Sequence, residues 1–128
     1  MTKYFLIGIF GVVGVFARYG MGLSLNRNAG FGFPVGTFVI NLIGCFFIGV
    51  VYVLGVEREI ISSEVRVALM AGLLGGFTTF SAYSLETAVL MKNQEYGQAL
   101  LYFVLSGILG LACTFLGFSL TRMLVGVK

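Results

Sequence analysis

The sequence predicts an all-α membrane protein: four transmembrane helices in one domain, with helix three broken near the bilayer midplane. Three observations lead there. Of 128 residues, 59% are hydrophobic, and the mean hydropathy is +1.04. Only 10% are charged, against about 25% in an ordinary soluble domain, so the chain cannot cover its own surface with polar groups and lipid must be its solvent. Charge is absent from three long runs, Asn28 to Val56, Val67 to Leu85 and Tyr96 to Thr121. Each is long enough for the roughly 20 apolar residues that cross a hydrocarbon core.

The expected helices cover about 4–24, 34–56, 65–92 and 98–123, joined by Ser24 to Phe33, Glu57 to Glu64 and Lys92 to Gly97. In helix one, Lys3 precedes an apolar run, as in a signal peptide, but no convincing small-residue cleavage site follows. Gly8, Gly11, Gly14, Gly20 and Gly22 give this helix the small-residue surface that membrane helices use to pack. Its one interior charge, Arg18, can lend positive potential to an anion or snorkel to the interface.

Pro34, the only proline, fits the first turn of helix two, where a missing N–H is no loss. Thr37, Asn41 and Cys45 follow at four-residue steps. An amide in mid-membrane is costly without partners. The Asn41 NH₂ can donate to a passing anion or bond a neighbouring helix.

Helix three carries the densest signal, Gly75-Gly76-Phe77-Thr78-Thr79-Phe80-Ser81-Ala82-Tyr83-Ser84. Paired glycines and then β-branched threonines are poor helix formers, and broken backbone at such depth survives only when buried in protein or facing a wet cavity. Alternatively the glycines serve close helix contact. Phe80 and Tyr83 share a helix face, and an aromatic edge is positively polarised toward an anion; the same spacing also suits plain packing. Glu86, three positions further, is expected to hold a hydrogen-bonded network. In helix four, Tyr102, Ser106, Gly110 and Thr114 follow at four-residue steps. They make a narrow hydroxyl stripe that can donate to a dehydrating anion or back-bond to its own helix.

The excluded classes are as informative. A net charge of +3 does not make a nucleic-acid binder, because the basic residues are scattered at helix ends rather than gathered in a stripe with interleaved aromatics. Cys45 and Cys113 lack the company a metal site needs, since the chain has no His. No nucleophile–base pair or phosphate loop appears, so the chain reads as no enzyme. Four spans put both termini on one side, with Lys3, Arg58, Arg66, Arg122 and Lys128 against Arg18, Arg27 and Lys92 on the other. So weak a bias permits insertion in both orientations, and hence an antiparallel homodimer.

Three motifs carry a resemblance over essentially the whole length. They are Ala17-Arg18-Tyr19 closing a Gly-rich helix, Gly36-Thr37 followed by Asn41-Leu42, and Gly75-Gly76-Phe77-Thr78-Thr79-Phe80-Ser81 with Ser84-Leu85-Glu86. The chain resembles the Fluc (CrcB-type) fluoride channels. That resemblance implies an antiparallel, dual-topology homodimer in the bacterial inner (plasma) membrane, passively exporting cytoplasmic fluoride through two pores. It implies a central structural sodium ion held by the backbone carbonyls of Gly75 and Thr78 from each subunit. Asn41, Phe80 and Tyr83 match pore residues, Ser106 and Thr114 match a polar track, and Thr37 and Tyr102 join that set. Arg18 and Glu86 match the family's arginine and glutamate. Three departures stand out: Tyr83 where relatives commonly have Phe, Ala82 where they have Thr, and Gly110 where some carry Ser. A small dual-topology, proton-coupled multidrug exporter is the alternative, but it needs an acid near the middle of helix one, where this chain has only Arg18.

Overall fold

The computed structural model describes residues 1–26 and 32–126. Residues 27–31, half of the first linker and including Arg27, and residues 127–128, including Lys128, lie outside the described residues. Six α-helical segments are present among those described: α1 (Thr2–Asn26), α2 (Val35–Tyr52), α3 (Ser63–Val67), α4 (Gly75–Phe77), α5 (Phe80–Lys92) and α6 (Tyr96–Leu124). They make four spans long and apolar enough to cross a membrane, Thr2–Leu25, Val35–Glu57, Ser63–Lys92 and Tyr96–Leu124.

Two stretches are wound more widely than an α-helix. Val53–Glu57 continues α2, with the Arg58 N–H donating to the Val53 carbonyl five residues back at 3.0 Å. Ala68–Leu74 joins α3 to α4 in the same way. Neither is legible in the sequence, because a five-residue hydrogen-bond step changes no periodicity that composition reports. Pro34 precedes α2 with a non-helical ψ of 67°, one residue earlier than expected. The third helix begins at Ser63, where the Ser62 hydroxyl accepts from the Val65 N–H at 3.4 Å.

Packing follows the glycines. A Cβ on Gly14 would strike the Leu73 carbonyl, and one on Gly76 would lie 2.7 Å from the Gly11 carbonyl. Span one therefore meets span three backbone to backbone. A Cβ on Gly49 would strike the Thr114 carbonyl, and one on Gly117 the Phe46 carbonyl, so α2 and α6 meet likewise. In lipid, where apolar burial drives nothing, such van der Waals closeness is what holds helices together.

The ends of spans two to four are tied by arginines. Arg66 donates to the Gly55 carbonyl at 2.7 Å and Arg58 to the Val125 carbonyl at 3.0 Å. Arg122 grips Glu57 with both arms of its guanidinium, the Nε–Oε2 bond being 2.9 Å, and lies over the Phe118 ring.

Candidate functional site

The helical backbone of the third span is interrupted at two residues. Gly75, Gly76 and Phe77 stay helical, and Thr78 (φ −86°, ψ 160°) and Thr79 (φ −151°, ψ 115°) are extended. The interruption therefore falls on the threonines rather than the glycines. Gly76 is needed where span one passes close by, whereas β-branched Thr tolerates extended backbone well. A helix end leaves carbonyls without donors and a helix start leaves N–H groups without acceptors. Side chains meet part of that need. Asn41 pairs with the Thr79 peptide on both sides, its Nδ2 donating to the carbonyl at 3.1 Å and its Oδ1 accepting from the N–H at 2.9 Å. The Thr79 hydroxyl accepts from the Ala82 N–H at 3.2 Å.

Those two N–H groups would serve the carbonyls of Gly75 and Thr78 in an unbroken helix. Both carbonyls thus lose their regular donors, and both residues line one groove. No group of three or more His, Cys, Asp or Glu side chains gathers among the described residues, so a cation here would rest on peptide oxygens.

That groove, about 690 Å³, runs between α2, α5 and α6. Asn41, Cys45, Phe80, Tyr83, Phe103 and Ser106 line it beside the interruption. The Phe80 and Tyr83 rings are 5.6 Å apart and tilted by 49°. Ser106 presents a buried hydroxyl oxygen with no hydrogen-bond partner. An apolar groove holding ring edges, one amide and an unpartnered hydroxyl can replace part of the water around a small anion.

The remaining candidates lie elsewhere. Glu86 accepts from Thr37 Oγ1 at 2.6 Å and from Tyr102 OH at 2.8 Å, so one carboxylate joins spans two, three and four. The Tyr102 ring is fully buried, with the Phe33 and Phe38 rings set edge-on at 5.2 and 6.3 Å. The Thr114 hydroxyl is bound to the Cys45 carbonyl at 3.0 Å and the Gly110 carbonyl at 3.2 Å. Of the hydroxyl stripe on α6, Ser106 alone is among the residues lining the groove. Arg18 lines a second hollow, with Thr37, Thr79 and Ala82 on the other side of the interruption. Asn41 takes the helix-bonding alternative, with Thr79 as its partner; Phe103 as a groove wall and Thr79 as a cap were not foreseen. The Thr-Thr pair was the available signal for the last.

Fold and site together define a small multi-pass membrane protein whose polar groups gather between its spans. The chain belongs to the CrcB-like protein, Camphor Resistance (CrcB) family, which it matches over residues 5–118. It is 44% identical over 126 residues to a protein of Thermus thermophilus named fluoride-specific ion channel FluC, covering 98% of this chain and 100% of that one. Proteins of the same name from Methylobacillus flagellatus (42% over 124 residues, 96% and 97% covered) and Parabacteroides distasonis (41% over 125 residues, 98% and 97% covered) are similar along the same length.

Proposed function

We propose that this chain is a fluoride-selective passive channel that exports cytoplasmic fluoride as an antiparallel, dual-topology homodimer. The observation that carries this reading is the Ser106 hydroxyl, buried and unpartnered beside Phe80 and Tyr83 in the groove. A donor left unspent in an apolar setting costs free energy, and a transient anion is the ligand that recovers it. Fluoride is small, hard and tightly hydrated. Neutral donors and ring edges replace its water without trapping it, because conduction requires binding weak enough to release. The names of the relatives support the same ion. Glu86 is engaged by two donors, which fits a structural brace better than a proton carrier.

The homodimer is supported by exposure. Phe80 is 81% exposed in the single chain although it lines the groove, and a second copy would enclose it. A sodium ion fits the carbonyls of Gly75 and Thr78, whose regular donors are directed to Asn41 and Thr79. Its charge would join two interruptions through peptide oxygens, as unwound helices do for sodium elsewhere. This chain's own residues prepare that cradle, Asn41 by holding Thr79 and the Thr79 hydroxyl by holding Ala82.

The test is fluoride efflux from proteoliposomes, read with a fluoride-selective electrode. Rapid fluoride release with chloride excluded is expected. Equal chloride release, or release that needs a proton gradient, would overturn the reading. Exchange of sodium for a bulky organic cation should weaken the dimer or its flux, and an unchanged dimer under rigorous depletion would remove the ion.

A further inference from the structure

Tyr83 brings a phenol hydroxyl to a groove whose other polar lining comes from Asn41, Thr78, Thr79 and Ser106. Its ring is held from three sides, by Phe80 at 5.6 Å, Tyr102 at 5.1 Å and Phe103, nearly parallel, at 6.4 Å. The position of the oxygen is therefore set by packing. That oxygen stands 3.5 Å from the Phe103 carbonyl, well beyond the 2.5–3.0 Å of an ordinary O–H···O bond. The Tyr83 proton is only loosely engaged.

Ser106 lies three residues after Phe103 on α6, on the same helix face. Four other hydroxyls in these spans, those of Ser24, Thr78, Thr87 and Thr114, bond back to the carbonyl four residues earlier. The Ser106 oxygen is buried and makes no such bond. Two hydroxyls from different helices, both underused, thus flank one turn of α6, and both residues line one groove.

We infer that the Tyr83 hydroxyl is a second anion donor, acting with Ser106 on the same ion, and that it sets how tightly this chain holds that ion. The inference rests on the channel reading above. The ligand class is a small, hard, monovalent anion stripped of part of its water. A hydrogen bond to an ion is shorter and roughly twice as strong as one between neutral groups, so the anion draws the Tyr83 proton away from the Phe103 carbonyl. A phenylalanine at this position would offer a polarised edge and no such bond.

The test is the fluoride concentration that half-saturates conductance, measured with the reconstituted full chain. Y83F and S106A should each raise it about tenfold, the loss of one charge-assisted bond. The double variant should fall several-fold short of the product of the two, because both donors serve one ion. Replacing Tyr83 by 3-fluorotyrosine keeps the ring and makes the phenol a stronger donor, and should lower the half-saturating concentration. This arm decides the matter if Y83F assembles poorly. Half-saturation unchanged in Y83F, effects that simply multiply, or no response to 3-fluorotyrosine would overturn the inference while leaving a fluoride-conducting wild type intact. A wild type that passes no fluoride overturns both readings.

Discussion

Two polar clusters lie between the same three spans and obey opposite rules. Around Glu86, every strong group is matched: the carboxylate takes Thr37 on one oxygen and Tyr102 on the other. In the groove, Ser106 has no partner and Tyr83 has a weak one. Both clusters use hydroxyls and aromatic rings, and they share an edge, since the Tyr83 and Tyr102 rings are 5.1 Å apart. In a membrane the difference between scaffold and site is therefore one of satisfaction rather than composition. Matched groups fix the helices; unmatched ones, on the channel reading proposed above, are left for an ion.

That contrast can be broken. The largest effect should come from Asn41→Ala, which strips both bonds from the Thr79 peptide. With half-buried backbone groups left unpaired at about 1 kcal/mol or more each, stability should fall by about 2 kcal/mol and fluoride flux with it, read by thermal unfolding in detergent and by efflux. A variant as stable as the parent would show that the amide pairing supports nothing. Next is Tyr102→Phe, which leaves one Glu86 oxygen without its donor and should cost about 1–2 kcal/mol. The groove should respond in the opposite sense: Ser106→Ala removes a buried hydroxyl that bonds nothing, so stability should not fall and should rise by up to about 1 kcal/mol. If Ser106→Ala destabilised as much as Tyr102→Phe, the two clusters would not differ in kind.

The sequence revealed the spans well, because apolar length and charge-free runs follow directly from the thickness of a bilayer. It revealed less of how polar residues are employed. Asn41 read as either a pore donor or a helix bond, and its pairing with Thr79 depends on how two helices cross, which no local pattern encodes. Thr37, Tyr102 and Ser106 belonged to one candidate set by residue type and spacing. Only three-dimensional partners separate Ser106, lining the groove, from Thr37 and Tyr102, bound to Glu86. The glycine contacts were half legible: small residues marked surfaces, but not that Gly76 would remain helical and pass the interruption on to Thr78 and Thr79.

The Asn41 amide treats the Thr79 peptide as one β-strand treats its neighbour, taking the hydrogen and giving one back. The Thr79 backbone is thereby tethered to α2. A tilt of α2 cannot leave that backbone behind: it must either drag Thr79 along or snap both links at once. The carbonyls of Gly75 and Thr78 would swing with it, so the aim of those oxygens follows the lean of a neighbouring helix.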